Sequence, residues 1–216
     1  MPEFIRSGFN PNFVGYEAGL ALQREIHGEV ASGLREDTVL LLEHESVFTA
    51  GKRTDDDERP NESRPEVGIP VYETDRGGKI TWHGPGQLIG YPIMRLPRPI
   101  DVVGYVRWLE GVLIQVCTDF GLKTTRVEGR SGVWHESPEG FAKIAAIGIR
   151  VSEHTTMHGF ALNCNNSLEP YEAIIACGIR DASVSTISLL TGQQVTPVMA
   201  AEKVEHYLTE IGEYVS

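Results

Sequence analysis

Two side chains in this sequence have the makings of a nucleophile and its partner. Cys177 lies in Ile174-Ile175-Ala176-Cys177-Gly178-Ile179, and Lys143 is the lone charge in Phe141-Ala142-Lys143-Ile144-Ala145-Ala146-Ile147-Gly148. A thiol with a pKa near ~8.5 is only slightly ionised at neutral pH, so it reacts well only beside a cation or a base. A lysine held among apolar neighbours is the kind that trades its proton and does chemistry. Each also has a plain structural reading. Free cysteine is most often a small buried hydrophobe, and a strand lysine usually runs its stem to water. A third segment, Arg76-Gly77-Gly78-Lys79-Ile80-Thr81-Trp82-His83-Gly84-Pro85-Gly86-Gln87, is punctuated by glycine and proline where a strand would otherwise run. Glycine lets a ligand lie against the backbone. Read alone, the segment is equally a hairpin with a tight turn. It matches neither glycine-rich phosphate-binding pattern.

Other chemistries fit less well. Cys117 sits within a helical pattern and reads as filler, and Cys164 ends a strand and is the weaker nucleophile. His154, His158, Cys164 and Cys177 lack the spacing of a metal site, so no metal is expected. The chain has no G-x-S-x-G, which argues against a serine hydrolase. Three cysteines do not make a disulfide framework. The first residues lack the basic-then-apolar pattern of a secretory leader, and no apolar run approaches the ~20 residues a bilayer requires. A cytoplasmic protein without a membrane role is expected. The net charge of −11 argues against nonspecific nucleic-acid binding. Much of that charge crowds Asp55, Asp56, Asp57, Glu58, Glu62 and Glu66, a solvated loop rather than a site.

The elements that must position these residues follow from periodicity. Phe13, Tyr16, Leu20, Gln23, Ile26 and Val30 make one helical face, with Asn12 as a cap and Gly33 at the end. Thr38–Leu42 reads as a strand with Val47–Thr49 as its hairpin partner, followed by a polar loop over 52–66. Strands are predicted over Ile69–Glu73, Lys79–Trp82, Leu88–Met94, Val127–His135, Phe141–Ser152 and Thr155–Asn163. Asp101–Gly121 is the strongest helix, its apolar face formed by Val102, Tyr105, Leu109, Val112, Val116 and Phe120. A short helix is predicted over Glu169–Ile175, and a last one from Thr196 as N-cap with Pro197 in the first turn. Paired strands with helices between them give an α/β (α+β) single domain over 1–216, with a mixed, largely antiparallel sheet.

The motifs fall in a recognisable order. Leu41-Leu42-Glu43-His44, then Arg76-Gly77-Gly78 through Thr81, His83-Gly84-Pro85-Gly86-Gln87, then Lys143-Ile144-Ala145-Ala146-Ile147-Gly148, then His158-Gly159-Phe160-Ala161-Leu162-Asn163, then Cys177-Gly178-Ile179 resemble the octanoyltransferases of lipoate biosynthesis. The resemblance runs from about residue 38 to residue 190. It implies the α/β fold shared with lipoate and biotin protein ligases. It also implies transfer of an octanoyl group from octanoyl-acyl carrier protein to a lysine of a lipoyl domain, through a thioester on Cys177 with Lys143 as its partner. The implied acceptors are the lipoyl domains of 2-oxoacid dehydrogenase complexes and the glycine cleavage H protein. The implied substrate-binding residues are Arg76, Gly77, Gly78, Lys79, Ile80, Thr81, Trp82 and His83, with Ala146, Ile147 and Gly148, and Gly159, Phe160 and Ala161. No cofactor is implied, and a monomer is expected. Because the expected protein partners are acidic, Lys123, Arg126, Arg130, Lys143 and Arg150 are candidates for a local basic face. The sequence departs from the family at Ala176, where proline is frequent, which loosens the backbone before Cys177. The rival readings are an ATP-dependent ligase on the same fold, a relative that moves octanoyl groups between proteins by amide transfer, and a non-catalytic module that binds acyl carriers.

Overall fold

Strand β1 (Glu3–Arg6) runs parallel to β2 (Thr38–Leu42), and between them the chain forms helix α1 (Tyr16–Ala31). The computed structural model describes residues 1–60, 68–178 and 182–210, except for the side chain of Cys177. Glu62, Glu66 and Ile179, named above, lie outside the described residues. The remaining strands are β3 (Val47–Ala50), β4 (Val71–Glu73), β5 (Thr81–His83), β6 (Gln87–Ile93), β7 (Thr125–Val127), β8 (Arg130–Ser137), β9 (Gly140–Ser152), β10 (Thr155–Asn163) and β11 (Ser183–Val184). The remaining helices are α2 (Val102–Asp119), α3 (Ile187–Thr191) and α4 (Pro197–Glu210). The main sheet has the order β1-β2-β6-β10-β9-β8-β7, and β11 pairs with β9. All its pairs are antiparallel except β1 with β2 and β11 with β9. The fold is therefore the mixed, largely antiparallel α/β domain that the sequence pattern predicts.

Alternation along the strands sorts side chains to two faces. Val39, Leu41, Leu88, Phe160 and Leu162 pack with Leu109, Leu113 and Val116 of α2 and with Ala200, Val204 and Leu208 of α4 in the largest core. On the other face Leu40, Leu42, Ile89, Tyr91 and Ala161 meet Ile26 and Val30 of α1. Asp101 caps α2 by accepting from the Gly104 amide at 2.8 Å. Thr196 caps α4, accepting from the Met199 amide at 3.4 Å.

Four local expectations change, the first being that Val127–His135 is not one strand: the chain turns at 128–129, and β7 and β8 pair as a hairpin. Val47–Thr49 is not the hairpin partner of β2. The chain leaves the main sheet at Glu43-His44, and β3 pairs with β5 and β4 in a separate three-stranded sheet, order β4-β3-β5. The buried Glu43 draws the chain inward, because its carboxylate accepts from the Asn10 amide at 3.2 Å and the Gly86 amide at 2.7 Å. Helix α1 is capped at Gly15 rather than Asn12, since Val14 bridges to His44 and holds the preceding residues in a turn. The segment Glu169–Ala173 is a 3-10 turn, with Pro170 in its first positions.

Candidate active site

The centre of the site is a floor of small residues. Gly159 lies opposite Gly148 and Ala161 opposite Ala146 across the β10–β9 pair, so all four share the face turned away from α2. Phe160 and Ile147, one residue along each strand, point into the core under α2. A cavity of about 270 Å³ opens over this floor, and a second of about 520 Å³ continues from it. Thr81, Lys143, Ala146 and Ala161 line both.

Simple alternation would put Lys143 on the core face with Ala145 and Ile147. A bulge prevents this. Val133 pairs with Ala145, but Trp134 pairs with Lys143, so β9 carries one extra residue, Ile144, over β8. Ile144 and Ala145 are consequently both in the core, and Lys143 turns to the cavity face with Ala146. Lys143 is 7% exposed, and its Nζ stands 4.6 Å from the centre of the Trp134 ring. On its other side β11 runs alongside, Val184 opposite Lys143, with the Ser185 amide donating to the Lys143 carbonyl at 3.1 Å.

Cys177 lies in a 3-10 turn, Ala176–Gly178, and its side chain is outside the described residues. The turn is well held at its backbone. The Gly178 amide donates to the Ile175 carbonyl at 3.0 Å, and the Ile175 amide to the Glu58 carbonyl at 3.0 Å. Gly178 has φ +67, and a Cβ there would meet the Glu58 carboxylate at 2.6 Å and the Lys79 stem, so glycine is required. Ile174, Ile175 and Ala176 line the larger cavity together with Lys143. The other two cysteines are buried in the core. Burial pushes the Cys117 thiol up to about 12 and the Cys164 thiol higher still.

The Arg76–Gln87 segment builds the opposite wall as a directional hydrogen-bond chain. The Arg76 guanidinium donates to the Thr49 carbonyl at 2.6 Å and to Thr49 Oγ1 at 2.8 Å. Thr49 Oγ1 lies 3.1 Å from His83 Nε2, and His83 Nδ1 lies 2.8 Å from Gln87 Oε1. Gln87 Nε2 donates to Asn163 Oδ1 at 2.9 Å and to the Tyr171 hydroxyl at 3.0 Å. An amide oxygen accepts only, so His83 carries its proton on Nδ1 and accepts a hydrogen bond from the Thr49 hydroxyl at Nε2. Burial first, and then the nearby His44 and Arg76, hold His83 down to about 3. His44 is held down to about 4 by burial. Its Nδ1 donates to the Val14 carbonyl at 2.8 Å, and its Nε2 accepts from the Tyr91 hydroxyl at 2.8 Å. Both imidazoles are neutral at physiological pH.

The sequence candidates divide accordingly. Arg76, Gly78, Lys79, Thr81, His83, Ala146, Ile147, Gly148, Gly159, Phe160 and Ala161 line the smaller cavity. Gly77, Ile80 and Trp82 line neither cavity. The Gly77 amide binds the Ile149 carbonyl at 3.0 Å, and Ile80 and Trp82 are buried against Phe48 and Ile174. The Lys79 ammonium is paired with Asp55 at 2.6 Å and with Glu58. The basic face does not assemble as expected. Arg126 is paired with Glu110 and Arg150 with Asp75, while Lys143 is buried. Sequence reasoning passed over Tyr16, Thr49, Tyr91 and Arg130 as lining residues. It also gave His158 no binding role. His158 sits at φ +57, and its Nε2 is 2.8 Å from Asp75 Oδ1. Burial lowers its pKa against the opposing pull of Asp75. A polar residue breaking a strand of apolar ones, as His158 does, was the available signal.

The model of the lipoyl protein ligase A/B catalytic domain matches residues 15–209. The chain belongs to this family. Among members of the family, the octanoyltransferase of Leifsonia xyli subsp. xyli is 60% identical over 207 residues, 94% of this chain and 90% of the relative. The octanoyltransferase of Paenarthrobacter aurescens is 50% identical over 216 residues, 98% of this chain and 93% of the relative. Among solved structures, a putative lipoate protein ligase of T. acidophilum superposes with a TM-score of 0.70 at 11% identity, covering 97% of this chain and 84% of that one. LipL1 of P. falciparum in complex with lipoate gives 0.72 at 12% identity, covering 100% and 65%. At such identities these two demonstrate the family fold. Among the described residues no helix is long and apolar enough to cross a membrane.

Proposed function

We propose that this family member transfers an octanoyl group from octanoyl-acyl carrier protein to a lysine of a lipoyl domain, through a thioester on Cys177. The observation that carries the reading is the buried Lys143, which lines the same cavity as Ala176, the residue before Cys177. The 60% identity to an octanoyltransferase supports the same activity.

In the first half-reaction the Lys143 ammonium favours the Cys177 thiolate. The thiolate attacks the thioester carbonyl, and the carrier thiolate leaves and takes a proton from Lys143, which becomes the neutral amine. One thioester replaces another, so no ATP is consumed. In the second half the acceptor lysine, deprotonated by Lys143, attacks the acyl-enzyme carbonyl, and an amide forms as the Cys177 thiolate leaves. His83, neutral and bonded at both ring nitrogens, serves the wall rather than proton transfer. The octanoyl chain lies along the small-residue floor, where each buried methylene contributes about 0.8 kcal/mol. The acceptors are lipoyl domains of 2-oxoacid dehydrogenase complexes and the H protein, and the enzyme acts as a cytoplasmic monomer.

The test is octanoylation of a purified lipoyl domain by this protein with octanoyl-acyl carrier protein and no ATP. The lipoyl domain should gain one octanoyl group. Transfer that requires ATP and free octanoate would assign the ligase chemistry instead.

A further inference from the structure

Lys143 is buried, yet among the described residues it has no carboxylate or hydrogen-bond partner for its ammonium. Glu172, exposed on the 3-10 turn, is the one carboxylate among the residues lining the two cavities, and it does not pair with Lys143. The group that faces the ammonium is an indole. Trp134 is fully buried, lies opposite Lys143 in the β8–β9 register, and puts its ring centre 4.6 Å from Nζ. The Arg130 guanidinium is 6.0 Å from the same ring. Among the described residues the buried Trp134 Nε1 has no acceptor. Phenylalanine would fill much of the same space without that orphan donor, so the indole is retained at a cost. What indole offers over phenyl is the stronger attraction of its face for a cation.

We propose that Trp134 is a positioning residue for Lys143, its indole face standing in for the anion that a buried ammonium would otherwise take. The same bulge that turns Lys143 to the cavity brings the two residues together. The contact holds the ammonium on the cavity side, where its charge favours the Cys177 thiolate. The proposal rests on the acyl-transfer reading given above. The titratable groups that line the two cavities with Lys143 are Tyr16, Arg53, Arg76, Lys79, His83, Tyr91, Arg130 and His158, with Tyr171 and Glu172 on the 3-10 turn. β11 contributes only Ser183 and Val184 beside it. A change at Trp134 bears directly on one of these, Arg130, whose guanidinium lies 6.0 Å from the same ring.

The test uses Trp134→Leu and Trp134→Phe in the full chain. The first readout is the nuclear magnetic resonance of labelled lysine, with the Lys143 signal assigned through Lys143→Arg. In the wild type the Lys143 ε-methylene should resonate upfield from the ring current. It should return to the ordinary lysine position in Trp134→Leu and stay partly shifted in Trp134→Phe. The second readout is the pH dependence of Cys177 alkylation by iodoacetamide. Its midpoint should rise by about one pH unit in Trp134→Leu, with about a tenfold loss of kcat at pH 7 and little change in KM. Trp134→Phe should recover part of both. An unshifted Lys143 methylene in the wild type would overturn the proposal even if Trp134→Leu failed to fold. So would a folded Trp134→Leu with the wild-type alkylation profile. Failure of the wild type to transfer octanoyl at all would instead refute the acyl-transfer reading, leaving the methylene shift to report the contact.

Discussion

Glu110 should be the residue whose loss most damages the wall beside Lys143. It lies in the middle of α2 and is fully buried. Its Oε1 accepts from the buried Gly132 amide at 2.9 Å, and its Oε2 accepts from Arg107 at 2.7 Å and Arg126 at 3.2 Å. The arginine side chains are 39% and 45% exposed, so each pair contributes well under ~1 kcal/mol. The Gly132 bond matters more. Gly132 has φ +112 and precedes the Val133–Trp134 step at which the bulge forms. Glu110→Ala would leave that buried N–H without an acceptor, at about 1–3 kcal/mol. With the arginine terms the loss is about 3 kcal/mol, which for a domain of this size lowers Tm by about 6–12 °C. Glu110→Gln keeps an acceptor for Gly132 and should cost about 1 kcal/mol, or about 2–4 °C. Thermal unfolding by circular dichroism measures both, and octanoyl transfer below the transition should fall further in the alanine variant. An alanine variant that melts with the wild type would refute the reasoning. So would a glutamine variant that melts as low as the alanine.

The other expectations concern the floor, the turn and the buried histidines. In Gly159→Ala the new methyl would meet the Gly90 backbone and come within 2.5 Å of the Pro92 Cδ, so octanoyl transfer should drop at least tenfold; near-normal rates would show that the β10–β6 spacing yields freely. Gly178→Ala strains a left-handed position against Glu58 at about 1–2 kcal/mol. It should slow alkylation or acylation of Cys177, read by mass, more than it lowers Tm, and unchanged labelling would remove the turn from the account. His44 at about 4 and His83 at about 3 stay neutral when folded, while the unfolded chain binds protons at these positions below ~6.5. Their contribution is therefore fully present above ~6.5 and is lost as pH falls toward about 4, at about 1.4 kcal/mol per pH unit for each histidine. Urea denaturation at pH 7 and pH 5 should show this loss, flattened in His44→Gln; equal wild-type stability at the two pH values would contradict it.

The strongest periodicities were legible in the sequence. The apolar face of α2, with Tyr105, Leu109, Val112 and Val116, is buried as its spacing predicts. The small residues of β9 and β10 stood out in sequence, although only pairing makes Gly148 and Gly159 neighbours. Lys143 was conspicuous as a lone charge, but its exposure was undecided because alternation assumes an unbroken ladder. The extra Ile144 reverses its face, and a bulge leaves no compositional mark in a run of alanine and isoleucine. Glu110 and Trp134 were invisible for a related reason. A helix glutamate and a strand tryptophan are ordinary until another element, here Gly132 of β8 or the lysine, comes to meet them. The β3 partner was misread because proximity in sequence favours a hairpin, whereas the buried Glu43 pulls the chain out of the main sheet first.

Acyl transfer through Cys177 leaves a covalent adduct, which intact-protein mass detects. Wild type and Cys177→Ser are each mixed with octanoyl-acyl carrier protein in the absence of ATP, and a lipoyl domain is then added. The wild type should carry one octanoyl group and Cys177→Ser none, and the adduct should disappear as the lipoyl domain gains it. A wild-type protein that stays unmodified while the lipoyl domain is octanoylated, or an adduct that survives in Cys177→Ser, would contradict transfer through Cys177.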